Sequence, residues 1–215
     1  MNDWRDNILT QMEKQRDPEA ISAVEECQRI VRVANPALVA MAAVTYYPGF
    51  RKVDDRFSSW LHAVFQSGIL PGLADAVHWG SEGKSRELVE CDGQILKNTS
   101  ELHRNGSGRA GRLLLREGVP AGVKCLQRLR SAVEDGTATA HLATVFGARC
   151  GVFSIGQRAA ALAYVYLELR TGAPDWDDRR IAEKLADANE VISAFFDRKM
   201  RSNTESTPIF KRMHG

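Results

Sequence analysis

The run ATAHLATVFGARCGVFSIGQRAAALAYVYLEL, Ala138 to Leu169, constrains this chain more than any other stretch. Arg149 and Arg158 are its only charges before Glu168. Side chains this apolar must leave water, because burying each Val, Leu or Phe contributes about 1.5–3 kcal/mol. The run is too long for one strand and too rich in Ala and Leu for a sheet. It predicts two helices, over residues 138–150 and 155–170, broken near Gly151. Gly147, Gly151 and Gly156 would let backbones approach closely. A membrane span needs about 20 mostly apolar residues. Leu142–Val165 is long enough, but it holds Arg149, Gln157, Arg158 and three glycines. One central Arg costs about 2.5–3.5 kcal/mol on insertion scales. The expectation is a buried hairpin, with no membrane partner.

Helical patterns continue on both sides. Asn2 or Asp3 suits a first N-cap, and Asp17-Pro18 and Asn35-Pro36 each pair a cap with a proline at the first helical position. Pro36 to Tyr46 is apolar nearly all round and is expected to be central. Val53, Phe57, Trp60, Leu61, Val64 and Phe65 then share one helix face, with Gly68 as a stop and a short helix over 71–79 to follow. Leu88, Cys91, Ile95 and Leu102 form a narrow stripe within 81–103, which suggests a peripheral helix. RNGSGRAG, Arg104 to Gly111, reads as a glycine-rich basic loop. Short helices over 109–116 and 120–134 come next, and a last one over 177–200 turns Ile181, Leu185, Ala188, Ile192, Phe195 and Phe196 inward. No strand pattern of any length occurs. The fold class is therefore all-α, a bundle of about eight to ten helices. The glycine-rich segment divides the chain into parts 1–103 and 104–200, which could form one continuous domain, with a frayed polar tail at 201–215. Val44, Phe57, Trp60, Leu61, Phe146, Leu162, Ile192 and Phe195 are the expected core.

Composition narrows the chemistry. Lys and Arg total 29 against 27 Asp and Glu, nearly balanced at +2. MNDWRDNILTQMEKQRD lacks the basic and apolar regions of a signal peptide, so a cytoplasmic protein is expected. Cys27, Cys91, Cys125 and Cys150 stand far apart with no Cys-x-x-Cys pair. They read as small hydrophobes in a reduced core, and no metal site or cofactor is expected. Gly-x-Ser-x-Gly, phosphate-loop and dinucleotide fingerprints are missing.

One segment breaks the charge balance. Arg104, Arg109, Arg112, Arg116, Lys124, Arg128 and Arg130 face a single acid, Glu117, between residues 104 and 130. Arg109, Arg112 and Arg116 fall at i, i+3 and i+7, so a helix aligns them; Lys124 and Arg128 fall at i and i+4. Such a row tracks phosphates, and a glycine-rich approach brings backbone amides within reach of them. Arg104, Arg109, Arg112, Arg116, Lys124 and Arg128 are thus the candidate nucleic-acid-binding residues. The alternative is a solvated helix face whose acids lie elsewhere in space. No aromatic residue in the segment offers a base-stacking platform. IAEKL near the C-terminus resembles the start of a helix-turn-helix, but Ala186 and Asp187 stand where the turn wants Gly and an apolar residue. His62 and His141 are isolated and read as packed or capping residues, and His78 could share a helix face with Glu82, but two ligands do not make a metal site.

Two resemblances bear on function. Lys97-Asn98-Thr-Ser-Glu-Leu-His103 is similar to the motif of HEPN-type helical ribonucleases, with Lys where that family has Arg. It implies a catalytic role for His103 as general base. WLHAVFQ, LHRNGSGRAGRLL, VKCLQRLRSAVEDGTATAHL and DWDDRRIAEKL, in that order, resemble the helical small subunit of Cascade-type CRISPR effector complexes over about half the chain. That resemblance implies a non-catalytic subunit holding nucleic-acid backbone through Arg104, Arg109 and Arg112. The leading expectation is a non-catalytic, RNA- or DNA-backbone-binding complex subunit. A ribonuclease centred on His103 and a protein-interaction module are the alternatives.

Overall fold

The computed structural model describes residues 54–117, 122–173 and 175–205. The expected helices before residue 53, including the apolar Pro36–Tyr46 segment, and Val44 lie outside them. Every described element is helical and none is a strand. They are α1 (Asp54–Trp60), a π-helical segment (Leu61–Ile69), α2 (Leu70–Ser81), α3 (Ser85–Lys97), α4 (Glu101–Glu117), α5 (Lys124–Glu134), α6 (Leu142–Val152), α7 (Gln157–Gly172) and α8 (Asp178–Glu205). The all-α class stands.

α1, the π segment and α2 form one unbroken rod, where the sequence suggested a stop at Gly68. Pro71 explains how the rod continues. Its ring clashes with the carbonyl four residues back in an α-helix and it has no N–H to donate. The wider turn before it relieves that clash: Leu70 N–H reaches back five residues, to the Phe65 carbonyl. Gly68 is buried, and a Cβ there would stand 2.9 Å from the Asn98 carbonyl oxygen, so the site admits only glycine without a shift. The Trp60, Phe65 and Tyr164 rings stack in series at 5.4 and 6.3 Å, and Phe146 meets Tyr164 edge-on at 5.8 Å. This ladder ties the rod to α6 and α7.

The apolar run is the core. All of Leu142–Gly151 is buried, as are Ala159–Val165 and Leu167–Leu169. Its two arms pack less on each other than on neighbours: α6 lies along α2 on one side and α4 on another, while α7 packs on α8 and α2. α2 and α6 meet backbone to backbone. A Cβ on Gly80 would stand 2.4 Å from the Ala148 carbonyl oxygen, and one on Gly147 or Gly151 would stand 2.8 or 2.1 Å from those of Leu73 and Val77. The run's charges are accommodated rather than exposed to lipid. Arg149 Nη1 reaches the Leu114 carbonyl at 3.5 Å, Arg158 donates to the Ser193 hydroxyl, and Gln157 Nε2 donates to the Ala74 carbonyl at 2.7 Å. No described helix is long and apolar enough to cross a membrane.

Phe57, Trp60, Leu61, Phe146, Leu162 and Ile192 are buried as expected, while Phe195 and Phe196 are only half-buried against the core. Leu88, Cys91 and Ile95 of the narrow stripe are also buried. α8 runs further than expected, to Glu205, and Lys199 near its end pairs with Asp75 of α2 at 3.0 Å.

Candidate functional site

The glycine-rich segment is not a loop. Arg104–Gly111 lies inside α4, and the division expected between residues 103 and 104 falls within its first turn. Each helical Gly costs about 1 kcal/mol against Ala, which is why composition alone suggests a loop. The glycines have a packing role. A Cβ on Gly111 would stand 1.9 Å from the Ala140 carbonyl oxygen and one on Gly108 3.2 Å from that of Thr139. The extended lead-in to α6 therefore crosses directly over the backbone of α4.

Three side chains fix that crossing. Asp92 of α3, fully buried, accepts the Thr139 N–H at 2.7 Å, the Thr139 hydroxyl at 2.9 Å and the His141 N–H at 2.7 Å. Ser107 of α4 accepts the Leu142 N–H at 2.8 Å. His141 caps α6, its Nδ1 accepting the Ala143 N–H at 3.2 Å. Between the two backbone groups held by Asp92, Ala140 takes a φ of +60°, which costs an L-residue about 1–2 kcal/mol. The hydrogen bonds on either side hold it there.

With one face of α4 committed to this crossing, Arg104, Arg109 and Arg116 stand exposed and Arg112 lies at the crossing's edge. Asn105, Arg109 and Arg116 are exposed, and Arg112 is half-buried where Nη1 donates to the Thr139 carbonyl at 3.1 Å. Arg104 is exposed too, but its Nε turns back to the Thr99 carbonyl at 2.8 Å. Lys124 and Arg128 are exposed on α5, and Arg128 Nη1 lies 3.5 Å from the Ser85 hydroxyl. Arg130 pairs with Glu134 at 2.9 Å. Arg104, Arg112 and Arg128 thus bond neutral oxygens rather than any acid among the described residues. The structure joins these residues as one helix row plus the start of the next helix. His103 lies in the first turn of α4, and its side chain is outside the described residues.

Nothing among the described residues assembles a chemical centre. No three His, Cys, Asp or Glu side chains converge as a metal site requires. Cys91, Cys125 and Cys150 are buried and unbridged, as the sequence suggested. Burial is the main cause that pushes the Cys91 thiol up to about 12 and raises those of Cys125 and Cys150. Burial likewise lowers the Arg149 guanidinium from its usual range. Sequence reasoning missed Asp92 and Ser107 because single polar residues on an amphipathic helix carry no signal until the segment they bond is placed.

Fold and surface together define an all-α scaffold whose distinctive feature is an exposed basic face. Residues 53–171 match the UreF family, whose members are urease accessory proteins. The match covers more than half of the chain, and the chain belongs to the UreF family. It spans the rod and every helix through α7. No curated protein and no solved structure matches the chain.

This finding corrects several expectations. The chain is not a Cascade-type small subunit. The segments that carried that likeness are amphipathic helix faces, a pattern any helical bundle produces. The nucleic-acid-binding subunit and the ribonuclease centred on His103 are likewise overturned, and with them nucleic acid as partner. The supposed flexible phosphate-binding loop is a rigid helix whose glycines contact protein backbone. The helix-turn-helix start lies within the single helix α8.

Proposed function

We propose that this protein is an accessory factor in urease maturation, working by docking other proteins rather than by making or breaking bonds. The observation that supports this most is the UreF match over 53–171, which coincides with the buried helical block from α1 to α7. The UreF family is associated with nickel insertion into urease together with UreD and UreG. On this reading nickel is cargo of the assembly, the partners are protein subunits, and the site of action is cytoplasmic. A scaffold of this kind needs a rigid core and a shaped surface. The backbone-to-backbone α2–α6 seam supplies the first, and the α4–α5 exterior offers the second.

The test is co-expression of apo-urease with UreD and UreG in a host lacking its own UreF. With this chain present, urease activity and protein-bound nickel, measured by elemental analysis, should both rise well above background. Equal nickel content with and without the chain would refute the reading.

A further inference from the structure

We propose that the basic exterior of α4 and the start of α5 is the face on which an acidic surface of a partner protein docks. This rests on the accessory reading above and names the chemistry of one of its contacts. Seven cations against one acid lie between residues 104 and 130. Among the described residues, acids pair with only part of that charge. Arg130 is paired with Glu134. Arg104, Arg112 and Arg128 donate to carbonyl or hydroxyl oxygens, which satisfies hydrogen bonding but leaves the charge. Arg116 in the last turn of α4 and Lys124 at the first position of α5 are exposed, and α5 has no acid in its first turn. Residues 118–123 alone separate the two helices, so Arg112, Arg116, Lys124 and Arg128 flank one connection.

The α4 part of this face is braced against its neighbours. Gly108, Gly111 and Ser107 lock α4 against the lead-in to α6, and Asp92 locks that lead-in to α3. A preformed cationic face loses little ordering entropy on binding and raises the encounter rate with an oppositely charged partner. Carboxylates suit it: a guanidinium takes a carboxylate in a two-point fork, and Arg predominates here over Lys. The segment contains no aromatic residue on which a nucleic-acid base would stack. Among polyanions, an acidic protein surface therefore fits it best.

The experiment uses the full chain with purified UreD and UreG, each immobilised for association kinetics. The variant is Arg116→Glu with Lys124→Glu and Arg128→Glu. A control reverses three exposed arginines elsewhere, Arg86→Glu, Arg179→Glu and Arg201→Glu. Wild-type association with one of the two proteins should slow as salt rises from about 50 to about 300 mM. The variant should associate about tenfold more slowly at low salt, with a flatter salt dependence, while the control keeps the wild-type rate. Arg116→Lys with Arg128→Lys, which keeps the charge, should retain most of that rate. Circular dichroism checks that the helical content is intact. Unchanged binding by the triple variant, or equal slowing by the control, would overturn the proposal and leave the accessory reading standing. Failure of the wild-type chain to bind either protein would overturn both. Binding of a DNA duplex that is lost in the variant would assign the face to nucleic acid and also refute the proposal.

Discussion

Gly151→Ala should destabilise this protein although Ala is the better helix former, and Gly93→Ala should do the opposite. A Cβ at Gly151 would meet Val77 O at 2.1 Å, Ser81 N at 2.6 Å and Gly80 C at 3.0 Å, all of them backbone atoms of α2. No flexible side chain can move aside. Raising the shortest contact to an ordinary 3.4 Å separates α2 from α6 by about 1.3 Å there. A gap of about 0.5–1 Å already forfeits a quarter to a half of each dispersion well, and overpacking costs about 1–3 kcal/mol or more. The gain from helix propensity is about 1 kcal/mol. With three backbone contacts violated the cost should sit at the top of that range, so the net loss should be about 2 kcal/mol, or about 4–8 °C in Tm for a chain of this size. Gly93 lies inside α3 with nothing within 4 Å of its would-be Cβ. There Ala should add about 0.5–1 kcal/mol, chiefly by restricting the unfolded chain. Thermal and urea unfolding followed at the helical circular-dichroism signal measure both. A neutral or stabilising Gly151→Ala, or a Gly93→Ala as harmful as Gly151→Ala, would refute the close-packed seam.

Asp92→Asn keeps the shape but places an NH2 where a carboxylate oxygen accepted N–H donors, so it should cost about 2–4 kcal/mol. The urea midpoint should fall at constant m-value, and an unchanged midpoint would dismiss the three-donor crossing. Cys91, Cys125 and Cys150 should resist iodoacetamide near neutral pH in the native state and react once denatured, as read by peptide mass mapping; native labelling would contradict their burial. The Cys91 thiol is raised from 9.0 to about 12 in the folded state. Its contribution to stability is therefore complete below pH 9 and is lost as pH rises toward 12, by up to about 1.4 kcal/mol per pH unit; Cys91→Ala should flatten that alkaline limb. Lys199→Ala breaks a half-exposed pair with Asp75 and should change stability by less than about 1 kcal/mol.

The fold was legible where apolar periodicity alone decides the outcome. The hairpin from Ala138 onward, the Phe57–Phe65 face and the inward residues of α8 through Ile192 follow from which side chains avoid water. What escaped the sequence depends on contacts between distant segments. Gly68 reads as a stop and residue 71 as the start of a new helix, yet a π turn carries one rod through both. Gly108 and Gly111 read as flexibility, because propensity penalises glycine in helices; only the position of Thr139 and Ala140 reveals that a Cβ has no room. Phe195 and Phe196 continue a perfect apolar spacing, but they pack only half-buried against the core.

The basic segment shows the same division at the level of function. Periodicity placed Arg109, Arg112 and Arg116 on one helix row, and the structure keeps them there. A row of cations has the same Coulomb attraction for phosphates as for carboxylates, so spacing alone could not choose between nucleic acid and protein. The distinction lies in what surrounds the charges. A phosphate-gripping loop needs free backbone amides, and here the glycines that suggested one are spent on close approach to the lead-in of α6. A nucleic-acid face also gains from rings between its cations, and this one has none. What remains is an arginine-rich helix exterior, braced by Ser107 against the lead-in to α6 that Asp92 holds. Such a surface can select a partner only by the pattern of acids the partner presents. Reversing Arg116, Lys124 and Arg128 should therefore act on encounter with that partner and leave the fold in place.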